Sequence, residues 1–202
     1  MIFDIGAFEG VWTIQNLPSA DKIIAVEANP DTFKKLEENT NFSDKIITVN
    51  CAVCDSENEY IDFYKCSVLS TTNIDWLTNE KSRFYNHGYV KTSCKTITLD
   101  KLIEIYGKPS LIKIDVECGE LSCLRSLTQK VDNLCFEWAI EFNEITVGSI
   151  QYLMTLGFTK FFLQKEDNYT FRPNDEDYVE PQIIFTQLDN CIKYDWGMIW
   201  CK

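Results

Sequence analysis

Short apolar runs alternate along the chain with stretches in which apolar residues recur at helical spacing. Met1–Ile5 (MIFDI) is apolar apart from one aspartate and ends in a glycine loop. Val11–Leu17 continues as a short helix that Pro18 stops. Lys22–Glu27 (KIIAVE) is a second apolar run, after which Asn29 and Pro30 supply the cap and first residue of a helix over Asp31–Glu38. Lys45–Val53 reads as a third strand, and Tyr60–Tyr64 alternates like an added hairpin strand. Ser67–Val90 is polar, dotted with aromatics and without a clear period, and reads as a lid or substrate-binding insertion.

The second half keeps the alternation. Lys95–Leu99 is short and β-branched, Asp100 caps a helix to Tyr106, and Ser110–Asp115 (SLIKID) reads as a buried strand. Glu120–Gln129 and Val147–Leu156 have helical spacing, Leu134–Phe142 and Phe158–Leu163 read as strands, and Tyr178–Leu188 reads as a last, antiparallel edge strand. The pattern predicts one α/β domain over residues 1–202, a doubly wound, mostly parallel, Rossmann-like sheet with helices on both faces.

Charge then removes several classes of function. With 31 acidic against 19 basic residues and a net charge of −12, the chain lacks the basic footprint of a nucleic-acid binder, so no nucleic-acid partner is expected. No apolar stretch approaches the roughly 18 residues of a membrane span, and no basic segment precedes the first apolar run. Neither a membrane partner nor secretion is predicted, and the cytoplasm is the expected location. Nine cysteines, an odd number lying partly in apolar runs such as Leu134-Cys135-Phe136, read as reduced and mostly buried. Cys51 and Cys54 form a single C-x-x-C whose side chains would leave a strand on opposite faces, and His87 is the one histidine, so no zinc site is predicted.

In an open parallel sheet a ligand binds beyond the carboxyl ends of the strands, where strand order reverses. Asp4–Gly10 (DIGAFEG) occupies that place. Its glycines let the backbone approach a ligand, and the helix that follows offers free N–H groups. Asp4 beside the loop repels phosphate and attracts an ammonium. The loop therefore suits an amino-acid moiety rather than the pyrophosphate of a nicotinamide cofactor, whose Gly-x-Gly-x-x-Gly spacing is absent. Glu27, about twenty residues further on, can accept hydrogen bonds from two ribose hydroxyls. Together these features describe S-adenosylmethionine, held by Asp4, Gly6, Ala7, Phe8, Gly10, Glu27 and Ala28, with Cys51 and Ala52 beside its adenine.

Ile2-Phe3-Asp4-Ile5-Gly6-Ala7, Val26-Glu27-Ala28-Asn29-Pro30, Asn50-Cys51-Ala52-Val53, Thr98-Leu99-Asp100 and Ile112-Lys113-Ile114-Asp115-Val116-Glu117 with Glu120-Leu121 resemble, in order, the motifs of the FkbM-type methyltransferases. The resemblance implies a class I methyltransferase sheet, S-adenosylmethionine as cofactor and O-methylation of a hydroxyl, often on a sugar or secondary metabolite. Phe8 and Glu9 stand where the family usually has a polar asparagine, and Glu117-Cys118-Gly119-Glu120 replaces Glu-Gly-Ala-Glu. Relatives normally carry a segment upstream of the first strand that helps cover the cofactor; here the expectation is either a compact variant or a side closed by something else, such as a second copy of the chain or a partner.

Methyl transfer from a sulfonium is an in-line displacement, so the protein must hold an oxygen about 3 Å from the methyl carbon and manage one proton. Asp115, at the end of the strand beside the first, is expected to contact the methionine end or take the proton. Glu117 is the next candidate, and Glu120 reads as favourable charge at a helix start. Histidine is the side-chain type suited to proton exchange at neutral pH, so His87 becomes a third catalytic candidate if the insertion folds over the acceptor. Asp115, Glu117, Glu137 and Glu141 could gather around a divalent ion, but their spacing fixes no geometry, so no metal ligand is predicted and the question stays open. Trp76, Phe84, Tyr85 and Tyr89 offer either a stacking surface for a sugar ring or a small satellite core. The expected acceptor is a small molecule or glycan; the alternative is a non-catalytic binding or assembly module on the same fold.

Overall fold

The structure, a computed structural model, describes residues 1–56 and 59–202. In chain order its elements are β1 (Ile2–Ile5), α1 (Val11–Asn16), β2 (Ile23–Val26), α2 (Pro30–Thr40), β3 (Ile46–Val49), β4 (Ala52–Val53), β5 (Tyr60–Lys65), α3 (Asp75–Thr78), β6 (Val90–Ile97), α4 (Leu99–Tyr106), β7 (Leu111–Ile114), α5 (Glu120–Arg125), β8 (Asn133–Ala139), α6 (Asn143–Thr155), β9 (Phe161–Lys165), α7 (Pro181–Asp189) and β10 (Trp196–Cys201). Seven strands form the main sheet in the order β3-β2-β1-β7-β8-β10-β9. All run parallel except β10, which lies antiparallel between β8 and β9. This is the doubly wound α/β sheet with an antiparallel strand at one side, and its order reverses between β1 and β7.

The central strands are apolar at nearly every position because both of their faces are covered. β1, β2 and β7 are buried at every position. One face carries Phe3, Ile5, Ile112, Ile114, Phe136 and Trp138, packed by Leu99 and Leu102 of α4, Leu124 of α5, Ile150 and Leu153 of α6 and Ile184 and Leu188 of α7. The other face carries Ile2, Ile23, Leu111, Cys135 and Trp200, covered by Trp12 of α1 and by the tail residues Phe171 and Tyr178. Two charged residues interrupt this apolar layer, Asp4 on β1 and Lys113 on β7, and the strand register sets them side by side.

Four local expectations change. Tyr178–Leu188 is not a strand: Pro181 opens helix α7 and its buried Ile184 and Leu188 are one helical turn apart, which the β-prone run Ile183-Ile184-Phe185 conceals. The antiparallel strand is instead Trp196–Cys201. Lys45–Val53 divides at Asn50, whose side chain donates to the Glu27 carbonyl at 2.8 Å. Its second piece, β4, joins β5 and β6 in a separate sheet of order β4-β6-β5. α4 is capped by Thr98 rather than Asp100, and α5 stops at Arg125 because Ser126 Oγ turns back onto the Cys123 carbonyl. Ser67–Val90 contains α3 and a series of hydrogen-bonded turns, with Trp76 and Leu77 buried against Cys118 and Phe142.

All nine cysteines are free and six are buried. Among the described residues no helix is long and apolar enough to cross a membrane.

Phe136 sits fully buried at the centre of the larger core. Phe136→Ala is expected to lower stability by about 3–5 kcal/mol, read as a lower urea midpoint with an unchanged slope.

Candidate active site

The first loop crosses the carboxyl end of β1 through two left-handed glycines. Gly6 has φ 77°, and a Cβ there would lie 1.8 Å from the Asp115 carbonyl oxygen, so the loops after β1 and β7 touch backbone to backbone. Gly10, with φ 91°, starts α1, and its missing Cβ leaves room for Leu36 of α2. Between them Phe8 is left-handed without being glycine, at φ 50°. Its N–H donates to Glu27 Oε2 at 3.0 Å, while the Asn29 N–H donates to Oε1 at 2.7 Å. Glu27 is thus fixed from both sides. Burial pushes its pKa up and the two N–H groups oppose this.

These loops bound a cavity of about 300 Å³. Gly6, Ala7, Phe8, Glu27, Ala28, Cys51, Ala52, Asp115 and Glu117 all line it, as do Ser67, Val68, Ser70 and Thr72 from the start of the 67–90 stretch. The candidate binding residues are brought together with two exceptions. Gly10 packs helices behind the loop. Asp4 is fully buried beneath the loop and does not line the cavity: Thr13 Oγ1 donates to its Oδ2 at 2.5 Å, and Lys113 Nζ lies 3.2 Å from its Oδ1. The ammonium expected opposite Asp4 is therefore supplied by the protein itself, because β1 and β7 pair with Asp4 beside Lys113.

Lys113 Nζ also lies 3.2 Å from Asp115 Oδ2 and donates to the Gly6 carbonyl at 3.0 Å. Burial opposes its charge, but Asp115 and Asp4 together hold its pKa above the ordinary lysine value. A lysine inside an otherwise apolar strand was the available sequence signal, since a buried charge requires partners.

Beyond Asp115 the backbone is left-handed at Glu117, φ 54°, and Cys118, φ 70°. Cys118 thus adopts the conformation for which the glycine of the family motif is suited. The turn brings Glu117 to Asp115 and to Glu137 from the end of β8, with carboxylate oxygens of all three within 4.8 Å of one another. They border a second, open cavity of about 740 Å³ that shares Asp115, Glu117 and Tyr169 with the first. Asp167 and Trp196 also line it, and neither they nor Tyr169 stand out in the sequence. Burial, reinforced by neighbouring carboxylates, raises the pKa of Glu117 and Glu137 well above the usual range. Burial likewise lifts Glu120 to about 7 and Asp167 to about 6.

Glu141 stands apart, held by Arg83 at 2.5 and 2.7 Å. His87 is exposed, its Nδ1 3.0 Å from the Phe84 carbonyl oxygen, and it lines neither cavity. Trp76 and Phe84 pack in a satellite core with ring centroids 5.0 Å apart, whereas Tyr85 and Tyr89 are exposed.

A parallel sheet with this strand order, one antiparallel strand and a cavity at the reversal point has the architecture of the class I methyltransferases. Residues 4–184 match the Methyltransferase FkbM domain, and the chain belongs to that family. The hexuronic acid methyltransferase AglP of Haloferax volcanii is 26% identical over 139 residues, 67% of this chain and 53% of that protein, so the match spans about half of AglP's length. Among solved structures, the precorrin 8W decarboxylase of Methanobacterium thermoautotrophicum shares the fold at 11% identity, with a TM-score of 0.50 over 100% of this chain and 80% of that one. The precorrin-6y C5,15-methyltransferase of Geobacter metallireducens gives 11% identity and a TM-score of 0.48 over 100% of this chain and 78% of that one.

Lys113→Met leaves Asp4 buried without its cation and is expected to cost about 3–5 kcal/mol. Adding Asp4→Asn should recover much of this loss, a coupling that urea unfolding of the two single variants and the double variant measures. Glu120 supplies a pH prediction. A carboxyl with a raised folded-state pKa makes the protein bind protons more readily than the unfolded chain, so its contribution to stability falls as pH rises from about 4.5 to about 7. Glu120→Gln removes this dependence. Relative to wild type it should gain roughly 3 kcal/mol between pH 4.5 and pH 8, read from thermal or urea unfolding at both values.

Proposed function

We propose that this chain is an S-adenosylmethionine-dependent methyltransferase that methylates a hydroxyl of a sugar-containing or other small acceptor. The observation that carries the reading is the meeting of the two cavities at Asp115 and Glu117, at the carboxyl end of β7 beside the glycine loop. The first cavity suits the cofactor. Its volume falls within the range of small-molecule sites, and Glu27 presents a carboxylate, already held by two backbone N–H groups, toward a ligand diol. The Gly6–Phe8 backbone would follow the ligand, and Cys51–Val53 would flank its adenine. The cofactor supplies an electrophilic methyl group on a sulfonium.

The protein's own part is positional and acid–base. Asp115, held by Lys113, forms the boundary between the chambers. Glu117 and Glu137, at the second cavity beside Asp115, are the candidates we assign to the acceptor hydroxyl. His87 has no part in this scheme. A sugar acceptor is supported by the name of the Haloferax relative and by Tyr169 and Trp196, aromatic surfaces at the acid-lined cavity.

Thermal unfolding with S-adenosylhomocysteine, and with NAD as control, tests the cofactor. At about one hundred times Kd the homocysteine compound should add roughly 2.7 kcal/mol of stability, a rise of roughly 5–10 °C at this chain length. NAD should give no rise, and Glu27→Ala should lose it. Transfer of labelled methyl from S-adenosylmethionine across a panel of sugars then tests the reaction; a shift by NAD alone would overturn the proposal.

A further inference from the structure

We infer that Tyr169 is a cofactor-binding residue whose ring lies against the sulfonium where the two cavities meet, and that it favours the charged S-adenosylmethionine over its neutral thioether product. The inference rests on the methyltransferase reading of the site. A methyl group that leaves the first cavity for an acceptor in the second must pass their junction, so the sulfonium that carries it belongs there. Asp115, Glu117 and Tyr169 line both cavities. Lys113, at 3.2 Å, already answers the charge of Asp115, and burial holds Glu117 toward its neutral form. The face of the Tyr169 ring is then the electron-rich surface left for a cation. A sulfonium has no N–H to offer a carboxylate and suits an aromatic face, as a quaternary ammonium does.

Tyr169 is held firmly in this place. It stands in a strap, Glu166–Arg172, between β9 and α7. Glu166, left-handed at φ 60°, turns the chain out of β9 and donates its N–H to the Trp196 carbonyl of β10 at 2.8 Å. Asn168 closes the turn: its Oδ1 accepts from the Thr170 N–H at 3.2 Å and its carbonyl from the Phe171 N–H at 3.0 Å. The Phe171 ring stacks on Phe162 with centroids 5.6 Å apart, and the Arg172 guanidinium lies 5.4 Å from the Trp12 ring and 5.0 Å from the Trp200 ring. Asn16 of α1, itself buried, fastens the strap. Its Nδ2 donates to the Tyr169 carbonyl at 3.1 Å, and its Oδ1 accepts from Arg172.

Because α1 starts at Gly10, the strap and the glycine loop are tied to one helix. The ring is therefore placed relative to Gly6–Phe8 before a ligand arrives, which lowers the cost of ordering it on binding. Burial, reinforced by Asp167 and Asp115, pushes the phenol pKa up, so the ring stays neutral. The strap is secured through the Tyr169 carbonyl and through neighbouring residues, while Tyr169 remains 38% exposed, so its side chain can be exchanged without loosening the fold. The thioether left after methyl transfer carries no charge and loses this contact, which favours departure of the spent cofactor.

The test is calorimetric titration of the full chain, and of Tyr169→Leu and Tyr169→Phe, with S-adenosylmethionine and separately with S-adenosylhomocysteine. Tyr169→Leu is expected to weaken S-adenosylmethionine binding by at least about fivefold while changing S-adenosylhomocysteine binding less than about twofold. Tyr169→Phe, which keeps the ring, should bind both as the wild type does. Unchanged S-adenosylmethionine binding in Tyr169→Leu would overturn the inference, and so would equal weakening of both ligands, since the ring would then serve only as packing. A loss in Tyr169→Phe as large as in Tyr169→Leu would overturn it as well, by assigning the effect to the hydroxyl. In each of these cases the methyltransferase reading stands, because the wild type binds the cofactor. A wild type that binds neither compound would instead overturn the cofactor reading, and the role of Tyr169 with it.

Discussion

The contact on which the site depends is the buried ammonium of Lys113 between Asp4 and Asp115. Its geometry follows from two paired parallel strands, in which residues in register point to the same face. A lone charge at that depth would be strongly unfavourable, and so would either carboxylate without the lysine. The three groups therefore require one another. Lys113 further donates to the Gly6 carbonyl, so the same ammonium ties β1, its loop and the segment after β7 at the point where the sheet reverses.

Around that anchor the two loops are locked by backbone rather than by side-chain bulk. Gly6 gives way to the Asp115 carbonyl, and Phe8 and Asn29 turn their N–H groups onto Glu27. Glu27 thereby joins the ends of β1 and β2 while keeping a face toward the cavity. A carboxylate satisfied in this way can remain buried without a cation, since charge-assisted hydrogen bonds offset part of its desolvation.

The segment after β7 carries the opposite arrangement. Two consecutive left-handed residues, neither of them glycine, turn Glu117 toward Asp115 and Glu137. Left-handed backbone at such residues costs on the order of 1–3 kcal/mol each and persists only where its surroundings impose it. Here the imposing contacts are visible: Thr71 Oγ1 donates to the Glu117 carbonyl at 2.5 Å, and Asn73 Nδ2 donates to the Cys118 carbonyl at 3.1 Å. The stretch read as a lid thus also holds the acidic turn in place.

The order of strands and helices, the glycine loop and the acid at the end of the second strand were legible in the amino-acid sequence, because continuous apolar runs and glycine spacing are local consequences of burial and backbone sterics. Helix α7 was not, since an Ile-Ile-Phe run satisfies a strand as well as a helix until its partners decide. Neither was the true role of Asp4: its position beside the loop is local, whereas the ammonium that claims it comes from a strand more than one hundred residues away. The gathering of Glu137 with Asp115 and Glu117, and the separation of Glu141 and His87 from them, were likewise decided by tertiary structure. Carboxylates far apart in sequence meet only where strand ends converge, and residue type alone does not say which of them another side chain has already taken.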